Sequence, residues 1–468
     1  MHLRCFFRLN LRKFIFLMVL PIYSFGFTLN IEVYPYLQPG NASKLDHEKK
    51  VILWQTNNED ASFEVIYSKH GEKSKTALIT HKILPYSSQP RLYRAELPDL
   101  SFDSIYNYHV LFHGKPIRKG SFHTRTKGDH FKFVIFGCGG EGTPAQLEVA
   151  EQIARQNPSF IVHLGDFTYP LGLASEYLTK GFPYYNKSDD QQTKGTFLMS
   201  QYPFYFTFGN HDMGDGQGLS KHLDNLASFY YFEPPCNGPK IEKQIPGESE
   251  TVKKFLSTVG DRFYSMTVYS FDVGHVHFLM LDGNTWVNPG DPELQKWIKN
   301  DLTTSKATWK LAFIHQPPFA SLINSLPEII GDRSVAEDRQ RARKYVPLFQ
   351  ENGIDMVISA HIHDFERSKK IIYDAKANNV HTPEKGGIPY IISGAGGAHL
   401  HLDMISQFTR GILPQAGLIA LFKSTPYLEK GVFNDFSFSA IEVHGKQLEF
   451  SQISREGKKI DSLILKKD

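Results

Sequence analysis

Five apolar runs in this chain each stop at a residue able to hold a metal ion. The runs cover 131–137, 160–165, 203–209, 310–314 and 356–360. Directly after them stand Cys138, Asp166, Asn210, His315 and His361. Short apolar runs bounded by turn residues read as buried strands. In open α/β sheets the carboxyl ends of the strands form the edge where ligands collect. Oxygen and imidazole donors there suit divalent or trivalent cations, and two such cations side by side can clamp both oxygens of a phosphoryl transfer. Singly, the signals differ in weight. Gly165-Asp166-Phe167-Thr168-Tyr169 alone is an ordinary strand-end turn, and His315 ahead of Pro317-Pro318 says little. Gly209-Asn210-His211-Asp212 is sharper, because a Gly-Asn turn followed by His makes poor surface filler. His361-Ile362-His363 puts two imidazoles on the same side of an extended chain. Together, in this order, they predict a metal site at one sheet edge.

The elements that must hold these residues are legible around them. From residue 130 the rhythm is strand, helix, strand, which predicts an α/β domain over 130–468. Thr143-Pro144-Ala145-Gln146 carries a cap residue, Pro at the first helical position and Gln where a capping box wants it. Leu147, Ala150, Ile153 and Ala154 then share one face. Asp291-Pro292 opens a second helix, with Leu294, Trp297, Ile298 and Leu302 on one face. Two long polar and aromatic stretches, 171–202 and 213–260, have weak periodicity and read as loops over the site. Residues 28–127 read as all-β, with short β-branched and aromatic runs at sandwich spacing. Leu100 and Tyr106 there resemble a corner in which a tyrosine hydroxyl ties down a loop. His81, His109 and His113 read as surface or strand residues, and His163, inside an apolar run, as a hydrogen-bonded core histidine. His275 and His277 read as sheet residues. Phe182, Tyr184, Tyr185 and Phe204 read as packing under a long loop, with a groove lining as the alternative.

Residues 1–26 read as a secretory signal peptide: Arg4, Arg8, Arg12 and Lys13 without an acid, an apolar core over 14–23, then Ser24-Phe25-Gly26. The apolar run falls short of the ~20 residues a membrane span needs. The formal charge of +3 includes those four cations, leaving about −1 for the rest. Charge therefore points to neither nucleic acid nor an anionic membrane, and no stable membrane insertion is expected after cleavage. A secreted or periplasmic location allows disulfides. Only Cys138 and Cys236 remain after residue 26, so one internal bridge at most can form.

The ordered motifs resemble the purple acid phosphatase branch of the calcineurin-like metallophosphoesterases. That family carries Asp-x-Gly, Gly-Asp-x-x-Tyr, Gly-Asn-His-Asp/Glu, a lone His and Gly-His-x-His. The matches here are Cys138-Gly139-Gly140, Gly165 to Tyr169, Gly209 to Asp212, His315 and Ala360 to His363. The likeness extends through Phe263-Tyr264-Ser265, Leu281-Asp282, Phe365-Glu366-Arg367 and Ser393-Gly394-Ala395-Gly396-Gly397. The resemblance implies a four-layer α/β/β/α metallophosphoesterase sandwich preceded by an immunoglobulin or fibronectin type III-like sandwich. It also implies two metal ions, iron plus zinc, manganese or a second iron. Asp166 would bridge them; Tyr169 and His363 would complete the first shell, with Cys138 in the place of the family's Asp. Asn210, His315 and His361 would hold the second metal. His211, with Asn210, would face a small phosphorylated substrate and act as acid or phosphate-binding group. The implied function is an exported acid phosphatase in which a metal-bridged hydroxide attacks the phosphorus of a monoester.

Position 138 departs from the family, and three readings stand. Cys138 binds as a thiolate, which favours zinc at the first site. It does not bind, and that metal is held more weakly. Or it pairs with Cys236, or packs as a small hydrophobe. Glu141 is a remote substitute carboxylate. Ala360 for the family's Gly is tolerated unless the backbone there needs a positive φ. His399 stands between the rim of the site and plain surface. Two other functions compete: a phosphodiesterase or nucleotide hydrolase on the same site, and a metal-impaired binding protein marked by Cys138.

Overall fold

In a computed structural model the described residues are 29–189, 194–214, 218–321, 334–408 and 414–468. The segment 1–26, read as a signal peptide, lies outside them. Eight strands form two four-stranded sheets at the N-terminal end. One has the order β1 (Ile31–Gln38), β2 (Lys50–Thr56), β6 (Arg91–Leu97), β5 (Leu78–Ile83); the other runs β4 (Lys75–Thr76), β3 (Phe63–Lys69), β7 (Ile105–Phe112), β8 (Lys115–His123). Leu37, Trp54, Val65, Tyr93, Tyr108 and Val110 fill the space between them, with Trp54 stacked on Tyr93. The corner forms as expected: the Ser101 backbone N–H donates to the Tyr106 hydroxyl at 3.0 Å.

The rest of the chain builds two larger sheets. A six-stranded sheet has the order β11 (Phe204–Phe206), β10 (Phe160–His163), β9 (His130–Phe136), β21 (Ser437–His444), β22 (Gln447–Ser454), β23 (Lys459–Lys466). A seven-stranded sheet runs β12 (Tyr269–Val273), β13 (Val276–Leu281), β14 (Trp309–Ile314), β15 (Met356–Ser359), β19 (Tyr390–Ser393), β16 (Phe365–Ser368), β20 (Leu428–Val432). A small hairpin, β17 (Ile372–Asp374) with β18 (Asn379–His381), stands apart. All five apolar runs become strands. β9, β10 and β11 are parallel neighbours in one sheet, and β14 and β15 in the other.

The two sheets pack face to face through Phe133, Ile135, Phe160, Phe278, Phe313 and Ile358. Helix Pro144–Arg155 covers the outer face of the first, and helices Pro292–Thr304 and Val346–Glu351 that of the second. The layers are thus α/β/β/α. Both predicted helix starts form. Thr143 accepts from the Gln146 N–H, and Asp291 from those of Glu293 and Leu294. Val149 takes the core position expected of Leu147, which is half-buried.

The stretches read as loops are broken up by helical pieces. They contain short turns at Ala174–Glu176, Tyr177–Gly181, Phe182–Tyr185, Leu198–Gln201 and Ser228–Tyr231, and an eleven-residue helix, Ser249–Val259. Their aromatic residues explain this. Tyr177, Phe182, Tyr185, Phe229 and Tyr231 are buried in a core shared with Tyr36, Val51 and Leu53 of the first sandwich.

Candidate metal centre

The carboxyl ends of β9, β10, β11, β14 and β15 meet at the seam between the two large sheets. Each chain segment leaves its strand through a tight turn, and three of the expected ligands are left-handed: Cys138 (φ 55°), Asp166 (53°) and His361 (67°). Such a conformation costs an L-residue roughly 1–2 kcal/mol, and strain of this kind gathers at functional sites. Ala360 is not among the left-handed residues. Gly165 and Gly209 have no room for a side chain. A Cβ on Gly165 would stand 2.9 Å from His315 Nδ1, and one on Gly209 would overlap the Asp166 carboxylate.

Asp166 sits at the centre and is buried. Its Oδ2 lies 3.1 Å from His315 Nε2, accepts from the Tyr169 hydroxyl at 3.1 Å, and is 4.0 Å from Cys138 Sγ. Donor atoms of Cys138, Asp166 and His315 all lie within 4.8 Å of one another. Oδ1 accepts the His211 backbone N–H at 3.0 Å. The Tyr169 hydroxyl is 2.9 Å from His363 Nε2. Asn210 Oδ1 is 3.1 Å from His361 Nδ1, and the His315 and His361 rings are 5.2 Å apart. Every residue expected as a ligand, together with His211, is therefore within one small cluster.

The histidines are oriented by groups behind them. His315 Nδ1 donates to the Leu164 carbonyl at 2.6 Å and His363 Nδ1 to the His399 carbonyl at 2.7 Å. With Nδ1 carrying the proton, each Nε2 presents a lone pair to the centre, the usual way a protein sets a metal-binding tautomer. His315 Nε2 is buried and makes no hydrogen bond despite its 3.1 Å approach to Asp166. Two acceptors converging without a bond between them is what a shared cation requires. The donor set of carboxylate, phenol, amide and imidazoles fits the expected metal pair.

Electrostatics follow the geometry. Burial pushes the Asp166 carboxyl up, but the charge of a protonated His315, the proton a bound cation would displace, and then that of His211 outweigh it and hold the pKa well below the usual carboxylate range. Burial, and then His315, bring His361 down to about 3, and burial lowers His363. Burial and the Asp166 charge push the Tyr169 hydroxyl and the Cys138 thiol well up.

Cys138 is fully buried with a free thiol, and Cys236 is free as well, so the disulfide reading is overturned. The turn holding Cys138 faces the His361 turn, whose backbone N–H donates to Sγ at 3.3 Å, whereas Cys236 lies by Pro234. Glu141 pairs with the exposed His399 ring at the rim, leaving His399 to serve the site through its carbonyl. Asp212 fastens two of the turns that carry the site. It accepts the backbone N–H groups of Asp166, Phe167 and Gly209 and the Tyr177 hydroxyl. The His211 ring is held by Pro170, to whose carbonyl Nδ1 donates at 2.5 Å, and lies tilted 4.5 Å from the Tyr169 ring. His163 is the core histidine expected, its Nδ1 accepting from Gly165.

Two residues escaped the sequence reading. His401 Nδ1 accepts the His363 backbone N–H at 2.7 Å, with the rings 4.5 Å apart. Asp338 stands 3.7 Å from His361 Nε2 and pairs with Arg341 at 2.6 Å. Asp338 and Arg341, with Asn210, His361, Trp286 and Gln316, help line a cleft of about 320 Å³ beside the centre.

The calcineurin-like phosphoesterase family model matches residues 129–365. Among curated proteins, purple acid phosphatase 18 of Arabidopsis thaliana is 23% identical over 333 residues, 68% of this chain and 63% of that protein. Probable purple acid phosphatase 20 of the same plant is 30% identical over 395 residues, 81% of this chain and 77% of that protein. The chain thus spans less than two thirds of the first of these relatives. Among solved structures, the purple acid phosphatase PPD1 from yellow lupin (Lupinus luteus) seeds superposes with a TM-score of 0.64 at 17% identity. The match covers 93% of this chain and 74% of that one.

Proposed function

Because the chain belongs to the calcineurin-like phosphoesterases, and within them to the purple acid phosphatases, we propose that it hydrolyses phosphate monoesters at the cluster around Asp166. The observation that carries this reading is the convergence of Nε2 lone pairs, phenol and carboxylate on one point, with His315 Nε2 buried and unbonded. Asp166, Tyr169 and His363 would hold one metal and Asn210, His315 and His361 the other, with Asp166 shared. A bound pair supplies Lewis acidity and makes water acidic enough to act as a nucleophile near neutral pH.

The protein's own groups do the rest. Tautomers fixed by Leu164 and His399 present the imidazoles before any ion arrives. His211, with Nδ1 committed to Pro170, has Nε2 left to donate to a phosphoryl oxygen or to the departing ester oxygen. The 320 Å³ cleft past Asn210 and His361 accepts the organic part of the ester. Its size favours, as a second reading, diesters or nucleotides on the same site. The basic-then-apolar leader supports export.

The test is elemental analysis beside assays on phosphate mono- and diesters. About two metals per chain are expected, with His211→Ala and Asp166→Asn each abolishing turnover in folded protein. Unchanged turnover in both variants would sink the assignment. One metal or none, with no hydrolysis, would favour the metal-impaired binding protein, for which a fully buried Cys138 where the family has Asp is the supporting observation.

A further inference from the structure

A second cleft, of about 450 Å³, lies between the N-terminal sandwich and the α/β layers and shares no lining residue with the metal centre or its neighbouring cleft. Three cations reach it: Lys82 from β5, Arg94 from β6, and Arg262 from across the junction. One carboxylate, Glu233, lines it. Glu233 takes Arg94 Nε through both oxygens at 3.0 Å and Arg262 Nη1 at 3.2 Å. Arg94 Nη1 also meets Glu96 at 2.9 Å, and Glu96 in turn binds Lys49 at 3.0 Å. Even with that outer pair included, four cations face two carboxylates.

Lys82 carries the imbalance. It forms no ion pair among the described residues. Its ammonium donates to the Thr258 carbonyl at 3.2 Å and stands 5.7 Å from the centroid of the Tyr230 ring. An ammonium has three donors, so two remain beside a pair of guanidiniums. Burial first, then the charge of Arg262, lower its pKa to about 8. Taking a cation out of water next to like charges is unfavourable unless an anion answers it. Leu53, Leu92 and Val259 give the same cleft an apolar wall, and its volume is several times that of an oxyanion alone.

We propose that this cleft binds a small organic phosphate, its oxygens between Lys82, Arg94 and Arg262 and its carbon body against Leu53, Leu92 and Val259. An excess of two positive charges matches a phosphate monoester dianion, and the two remaining ammonium donors of Lys82, with the guanidinium N–H groups not already bound to Glu233, Glu96 and the Phe232 carbonyl, can meet its oxygens.

Cys236 lines the cleft and is half-buried, whereas Cys138 is fully buried. Alkylation of Cys236, followed on its own peptide by mass spectrometry, therefore reports occupancy here and not at the metal centre. The full chain is titrated with phenylphosphonate, which resists hydrolysis, and separately with inorganic phosphate. Saturating phenylphosphonate should slow Cys236 alkylation about tenfold, with inorganic phosphate protecting less. Lys82→Gln should weaken protection roughly tenfold. Thr80→Glu, which places a carboxylate at the rim, should abolish it while leaving the melting temperature unchanged. Equal protection by phosphate and phenylphosphonate would remove the organic part of the claim. No protection, or full protection in Thr80→Glu, would overturn the site. None of these outcomes depends on phosphatase activity.

Discussion

Asp212 commits both carboxylate oxygens to the backbone of two ligand turns, so it sets where Asp166 and Asn210 stand. An Asn there would turn an amide N–H₂ toward N–H donors. Asp212→Asn should lower stability by about 1–3 kcal/mol and reduce metal content, measured by urea unfolding and elemental analysis. Cys138 offers the complementary test. Its Sγ is near Asp166 and His315, so Cys138→Asp should raise iron occupancy. Flat metal content and activity would show that the side chain at 138 does not touch an ion. The residues that gather at the seam were legible because few residue types do this chemistry and each motif followed an apolar strand. His401 and Asp338 were not. A half-buried His opening a helix, and an acid within Ala336-Glu337-Asp338-Arg339-Gln340-Arg341, look like any solvent-facing residues until the fold brings them to the site.

At the scale of elements, strand ends and caps carried the sequence reading and aromatic turns defeated it. Helical pieces of three to five residues are too short for periodicity to register, and those in 171–202 are held by burial against the first sandwich. The Asp291 cap was readable, and Asp291→Ala should cost about 1 kcal/mol, seen as a drop in the urea midpoint. β13 offers a pH test. His277, buried there, donates to Asp272 at 2.7 Å and Asp301 at 2.9 Å. Burial lowers its pKa, but the two carboxylates outweigh it and raise the pKa to about 9. The imidazolium's contribution is therefore present in full below pH ~6.5 and is lost as pH rises through 9. Stability should fall by up to about 3 kcal/mol across that window. His277→Gln should flatten the fall; an unchanged profile would remove the ion triad as its cause.

Across the whole molecule, the junction is built around Arg125. Its Nε pairs with Glu48 at 2.6 Å, while its other nitrogens donate to the carbonyls of Ser43, Lys44, His47 and Asp272. Glu48 is held by Lys50 as well. Nothing in the composition of Arg125-Thr126-Lys127-Gly128-Asp129 shows that its first residue locks two bodies together. Arg125→Met leaves carbonyls and part of a buried carboxylate unanswered. It should destabilise the chain by about 3 kcal/mol, read by calorimetry. A separate early transition for the sandwich is the expected signature.

Asp166 and Asn210 ride on one large sheet and His315 and His361 on the other, with the His361 N–H reaching over to Cys138. Any ion gripped by both sets acts as a rivet through the seam, resisting shear of one layer past its neighbour. Stripping metal with a chelator should therefore soften the protein mechanically as well as silence it. Ligand changes that disturb chemistry should then also appear as faster amide exchange along β10 and β14, reaching back from their carboxyl ends.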